Sequence, residues 1–278
     1  LYRSDGLVDR YPEAVRAIAQ VQVRTDYERY RLERCFLRSE QRPGSFADEC
    51  VDAAHPQRPL LLLWGDSHAA ALFPGLQDTA ALAPGGLRLA QYTAAACPPG
   101  MMAPTPDNPH CAQVNAFVRD RIAQLRPSTV VLAANWSAYL DPESGVHQPD
   151  PLELVSQTIA ALRSQGVQDV IVVGPLPRWH IPPPRILLKA WADDLPLPER
   201  SDQVLDEKAV LLDQALETAV STSGARYFSP IGALCDPRGC IVSIHEGTHY
   251  HAIAFDETHL TTKGSNRLLR SMRNQLLQ

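Results

Sequence analysis

The sequence predicts an α/β domain with a mainly parallel sheet covered by helices on both faces. Two observations carry this. Short apolar runs stand at Leu60–Trp64, Leu87–Tyr92, Thr129–Ala133 and Val170–Val173, with a weaker one at Ala225–Ser229, and helical stretches separate them. Apolar strands alternating with amphipathic helices are the pattern of a sheet buried on both faces. The composition agrees: 45% hydrophobic and 21% charged residues supply enough apolar material for a core in a chain of 278 residues.

In chain order, residues 1–57 are charged and broken by loops; Arg16 to Leu37 is compatible with a helix but with no independent core. We read 1–57 as an extension packed on a main domain of residues 58–278. The clearest helix opens at Asp150, which can cap it, with Pro151 at the first helical position and Glu153 completing a capping box. Leu152, Val155, Ile159 and Leu162 recur at helical spacing, and Gly166 ends the run. The proline-rich stretch Gly174–Pro198 is expected to form a long rim loop or lid. A last helix opens near Thr262 and carries Leu268, Leu269, Met272 and Leu276.

Several function classes are excluded early. Lys+Arg is 26 against 31 Asp+Glu, a net charge of −5, so no broad basic field exists to hold nucleic acid. No apolar run approaches the ~20 residues that span a bilayer. The chain starts at Leu1 with no signal peptide behind it, and reads as a portion of a longer protein.

The six cysteines are Cys35, Cys50, Cys97, Cys111, Cys235 and Cys240. None has a CxxC spacing that suggests zinc or thioredoxin chemistry. Six cysteines allow 15 connectivities. Local pairing, 35–50, 97–111 and 235–240, is the expected one, because each pair brackets a loop-like segment. Such a set favours an oxidising compartment, the periplasm or the outside of the cell.

Three elements carry chemistry. The first strand ends in Trp64-Gly65-Asp66-Ser67-His68, and an Ala-rich helix begins at once. A serine in that turn sits at the carboxyl end of the sheet and at a helix N-terminus, where backbone N–H groups favour a developing oxyanion. Taken alone, Asp66 or Ser67 is equally an ordinary helix cap. The second element is Asp256-Glu257-Thr258-His259. An attacking serine needs a base, histidine suits neutral pH, and a carboxylate one turn away can orient the imidazole. The third is Asn135, just past the strand Thr129–Ala133, whose side-chain N–H can aim at the same oxyanion as the Ser67 amide. His68 and Trp136 are candidate substrate contacts, with first-turn helix packing the alternative for His68 and cover of a core edge the alternative for Trp136. Trp179 and Trp191 could stack on sugar faces or cover core edges. His245, His249 and His251 are read as solvated or rim histidines, with no metal site expected.

Gly65-Asp66-Ser67, Asn135 and Asp256-x-x-His259, in that order, resemble the first, third and last blocks of the SGNH hydrolase superfamily, also called GDSL esterases. The stretches Leu62–Ala69, Tyr92–Pro99, Val173–Trp179 and Asp256–Gly264 further resemble the SGNH domains fused behind acyltransferase family three membrane proteins, and residues 1–57 are similar to the extension of those domains. Two departures stand out. Ala133-Ala134-Asn135-Trp136 replaces the usual Gly-x-Asn-Asp, and the second-block glycine has no secure counterpart, with Gly100 or a backbone N–H within Thr93–Ala96 as candidates.

The resemblance implies a three-layer αβα sandwich with a flavodoxin-like five-stranded sheet. It implies a periplasmic domain, tethered to the inner membrane through an N-terminal acyltransferase membrane domain. The activity implied is O-acetylation of a bacterial surface glycan, O-antigen or exopolysaccharide, through an acyl-enzyme on Ser67. The triad would be Ser67, His259 and Asp256, and Ser67 and Asn135 would form the oxyanion hole. No bound cofactor is expected; the acetyl group would come from acetyl-CoA through the membrane partner. A carbohydrate acetylesterase with water as acceptor, and a catalytically idle glycan-binding module, are the rival readings. For either enzyme, activity should rise around neutral pH as His259 loses its proton.

Overall fold

A computed structural model describes residues 11–20, 23–83, 85–140, 150–202 and 207–276. The first ten residues of the extension lie outside them. In chain order the elements are α1 (Glu13–Ala19), α2 (Val23–Arg29), β1 (Phe36–Leu37), β2 (Leu60–Gly65), α3 (Ser67–Ala81), β3 (Arg88–Ala94), α4 (Cys111–Leu125), β4 (Thr129–Ala133), α5 (Pro151–Ser164), β5 (Asp169–Val173), α6 (Pro183–Ala192), β6 (Arg200–Ser201), α7 (Glu207–Thr222), β7 (Arg226–Phe228), α8 (Pro230–Leu234), β8 (Cys235–Asp236), β9 (Gly239–Ile241), β10 (Ser243–Glu246), β11 (His249–Ala252) and α9 (Thr262–Leu276).

The main sheet is six-stranded in the order β1-β3-β2-β4-β5-β7, and every pair in it is parallel. Its five expected strands stand in the flavodoxin-like order. The sixth, β1, comes from the extension and adds an edge by pairing Phe36 with Thr93 and Leu37 with Ala94. Two residues are too few for a period-two pattern to declare themselves. Two small antiparallel sheets, β10-β11 and β6-β9-β8, lie outside the main one.

Strand residues alternate between two cores. On one face, Leu61, Leu63, Val131 and Ile171 pack with α3 and α9; on the other, Leu60, Leu62, Trp64, Val130 and Val170 pack with α4, α5 and α7. This is the three-layer sandwich. All six residues of β2 are buried, which explains its unbroken Leu-Leu-Leu-Leu-Trp-Gly run. Asp150 caps α5 by accepting the N–H of Leu152, and Pro151 opens the helix as expected. The Glu153 carboxylate accepts from Gln157 one turn on.

Two expectations need correction. Arg16 to Leu37 is not one helix: α2 stops at Arg29, and Arg31 and Glu33 take left-handed φ of 66°, which turns the chain into β1. Gly174–Pro198 is not all loop, because Pro182 and Pro183 at the N-terminal end launch α6, a setting where proline's fixed φ suits a helix. All three disulfides are the local ones, Cys35–Cys50, Cys97–Cys111 and Cys235–Cys240.

Candidate active site

The register of the sheet brings the candidate residues to one edge. β2 pairs Gly65 with Thr93 of β3 and with Ala133 of β4, so Ser67 and Asn135 each stand two residues past a paired position at the strands' carboxyl ends. That is where the strand order reverses, the place at which open α/β sheets take ligands. Gly65 is required there: a Cβ on it would lie 1.7 Å from the Ala133 carbonyl oxygen.

Ser67 is the first residue of α3, and the Asp66 Oδ1 caps the helix by accepting the His68 N–H at 2.8 Å. The other Asp66 oxygen accepts the Asn135 N–H at 2.9 Å and the Tyr139 hydroxyl at 2.7 Å. One buried carboxylate therefore ties the serine turn to the asparagine turn. Burial raises the Asp66 carboxyl, opposed by these three hydrogen bonds.

The His259 Nε2 lies 2.9 Å from Ser67 Oγ. Its Nδ1 lies 2.8 Å from Asp256 Oδ2. Asp256 is itself fixed, since its Oδ1 accepts the N–H groups of Thr258 and His259 at 2.8 and 2.6 Å. Burial raises the Asp256 carboxyl, but the His259 ring and these two amides outweigh it and leave the group below its usual value. The imidazole plane is held as well: the Phe255 ring stacks on it at 5.6 Å and 5°. The set can do what acyl transfer at serine needs, with a base on the hydroxyl and a fixed carboxylate behind the base.

The structure departs from two expected substrate contacts. Trp136 is fully buried, and its indole N–H donates to the Val173 carbonyl at 2.8 Å, so its face belongs to the core. His68 is 3% exposed; its ring lies edge-on to His259 at 5.1 Å, and among the described residues neither of its ring nitrogens has a hydrogen-bond partner. Trp179 is fully buried too, while Trp191 is half-buried against Tyr11. His245, His249 and His251 lie on the β10-β11 hairpin, where His245 stacks on Tyr250 and His251 faces Glu246 at 3.8 Å. Among the second-block candidates, the N–H groups of Thr93 and Ala95 are spent on the Cys35 and Leu37 carbonyls. Gly100 is pressed against Thr158 of α5. Ala94 belongs to β3, whose pairing with β2 runs through Thr93 and Gly65, and Ala96 beyond it takes a left-handed φ of 51°.

Sequence reasoning missed two participants, Tyr139 and Phe255, and the backbone role of a third, Trp179. Tyr139, the Asp66 partner, carried no motif. Phe255 reads as an ordinary apolar residue before Asp256, although its place next to the D-x-x-H element was a signal. Trp179 ties the loop after β5 to the histidine loop by donating its backbone N–H to the Glu257 carbonyl at 2.9 Å.

A family model described as an SGNH domain (fused to AT3 domains) matches residues 34–274. The chain belongs to this family. Among solved structures, the SGNH fold is shared with the periplasmic domain of a lipopolysaccharide acetyltransferase from Salmonella ser. Paratyphi A, at a TM-score of 0.77 and 23% identity over 94% of this chain and 100% of that one. Est24, a carbohydrate acetylesterase from Sinorhizobium meliloti, matches less closely, at a TM-score of 0.51 and 11% identity over 79% of this chain and 98% of that one. No curated protein matches the sequence. At these identities the two structures establish the SGNH fold, and the activity of this member is argued from its own site. Among the described residues, no helix is long and apolar enough to cross a membrane.

Proposed function

We propose that this domain places an acetyl group on a sugar hydroxyl of a bacterial surface glycan, O-antigen or exopolysaccharide, by way of an acyl-enzyme on Ser67. The observation that carries the reading is the hydrogen-bonded chain Ser67–His259–Asp256, at 2.9 and 2.8 Å, in a member of a family fused to AT3 domains.

The steps follow from the geometry. His259 Nε2 takes the hydroxyl proton as Ser67 Oγ attacks the acyl carbonyl of the donor. Asp256, ionised and fixed, balances the imidazolium through Nδ1–H. Collapse of the tetrahedral intermediate expels the donor's leaving group, which takes the proton from His259 and leaves the acyl-serine. The acceptor sugar hydroxyl then gives its proton to Nε2 while its oxygen attacks the ester carbonyl. Ser67 Oγ departs and recovers that proton. The Ser67 amide and the Asn135 side chain would hold the oxyanion in both halves. The acetyl group would reach the site from acetyl-CoA through an N-terminal membrane domain, which places the protein in the periplasm, tethered to the inner membrane; the three disulfides support that compartment.

The test is mass spectrometry of the protein after exposure to an acyl donor. An acetyl adduct on Ser67 that a sugar acceptor discharges supports the reading. A protein that never gains the adduct, or a Ser67→Ala strain with unchanged glycan acetylation, removes it. Hydrolysis is the second reading, because the His259 side chain is 20% exposed and water can reach it. An adduct discharged equally fast with and without the glycan would make the protein an acetylesterase.

A further inference from the structure

The histidine loop is held from two sides. Its own base closes it: the Phe255 N–H donates to the His259 carbonyl at 3.0 Å, and Thr261 N–H donates to the Ile253 carbonyl at 3.0 Å. The outer grip comes from the opposite end of the chain. Asp26 Oδ1 accepts both the backbone N–H and the hydroxyl of Thr262, at 2.7 and 2.8 Å, and so caps α9 from a helix 236 positions away. The Tyr30 hydroxyl donates to the carbonyl of Leu260, the residue after His259. The rings of Tyr27 and Tyr30 lie 5.6 and 6.2 Å from that of Phe255, which stacks on the imidazole.

These contacts are deeply set. Tyr30 is fully buried and Asp26 is 8% exposed. They touch Phe255, Leu260 and Thr262, which bracket His259 on both sides and beneath its ring. None of the three gripping residues belongs to the region 34–274 that the family model matches. A carboxylate buried at the start of a distant helix and a phenol spent on one carbonyl are costly devices for simple packing, since each leaves an unpaired buried group if its partner shifts. They do, however, fix a loop at specific atoms.

We propose that Asp26 and Tyr30 are positioning residues for acyl transfer: from α2 they hold the loop Phe255–Thr262 so that the His259 imidazole stays within hydrogen-bonding reach of Ser67. The inference rests on the acyl-transfer reading for its kinetic consequence and on the contacts alone for its geometry. Asp26 and Tyr30 touch neither Ser67 nor His259 directly, so the effect passes through the loop.

The test is the turnover of 4-nitrophenyl acetate by Tyr30→Phe, Asp26→Ala and Asp26→Asn in the whole chain. Small displacements of a catalytic base are expensive, so Tyr30→Phe and Asp26→Ala should each lower kcat about tenfold with KM within about twofold. Asp26→Asn keeps an acceptor oxygen for Thr262 and should recover most of the rate. Should Asp26→Ala fail to fold, Thr262→Val removes only the hydroxyl donor and replaces it in the comparison. The low-field proton resonance of His259 Nδ1–H, read by NMR, should shift or broaden in Tyr30→Phe. A lower melting temperature with kcat and that resonance unchanged means mere packing and overturns the proposal. If the unaltered protein shows no Ser67-dependent turnover, the acyl-transfer reading is what has failed, and the NMR resonance alone decides the positioning: a shift sustains it and an unchanged signal overturns it.

Discussion

His259 Nε2 and Ser67 Oγ meet at 2.9 Å although 192 positions separate them in the chain. Parallel strands and two cores bring them there, and the contact is direct, with no rearrangement required before proton transfer.

Groups that act as a unit lose activity as a unit. Ser67→Ala and His259→Ala should each lower kcat on 4-nitrophenyl acetate by at least about 10³-fold, and the double variant should be no worse than either single one. Additive losses in the double variant, measured by single-turnover kinetics, would show that the two side chains work separately.

Asp66 joins the two turns that flank the reacting carbonyl. Asp66→Asn turns one acceptor oxygen into a donor that faces the Asn135 N–H, the Tyr139 hydroxyl or the His68 N–H. Hydrogen bonds to a charged acceptor are the stronger kind, so the loss should be about 2–4 kcal/mol in urea unfolding. Asn135→Ala, by contrast, should leave stability within about 0.5 kcal/mol, because the Asp66 carboxylate is held by the Asn135 backbone N–H, which alanine keeps. It should cost about 10²-fold in kcat if its side chain serves the oxyanion.

Much of this site could be read before folding. The serine turn, the asparagine after the third core strand and the D-x-x-H element are local signals, each set by its neighbours in sequence. Long-range burial left no such signal. Trp136 and Trp179 could be read either as sugar platforms or as cover for a core edge, because nothing nearby in sequence decides that the core covers both. β1 was invisible since two residues, Phe36 and Leu37, take their strand character wholly from β3. The grip of Asp26 on Thr262 spans 236 positions and leaves no periodic trace.

His68 should make stability fall in acid. Burial, then the neighbouring His259, hold its imidazole well below its ordinary value of 6.5. The unfolded chain therefore takes up a proton below about pH 6.5 that the folded one refuses, and stability declines as the pH falls further. One such group accounts for up to about 1.4 kcal/mol per pH unit. Denaturant melts of the native protein and His68→Gln between pH 7 and 5 should show a slope flatter by about that amount in the variant. Parallel slopes would mean that His68 is protonated in the fold.

The disulfides should rank by the loops they close, of 15, 14 and 5 residues. Replacing Cys35 and Cys50, or Cys97 and Cys111, with alanine should cost about 3 kcal/mol, and replacing Cys235 and Cys240 about 2 kcal/mol. Thermal melts of the three paired variants check the order.

That pairing has a bearing on how the chain matures. Each cysteine joins the next one in line: first with second, third with fourth, fifth with sixth. A polypeptide emerging into an oxidising space can therefore seal each loop as it appears, before the following cysteine arrives. The native set needs no swapping of partners, so the slow exchange that delays many secreted proteins is avoided.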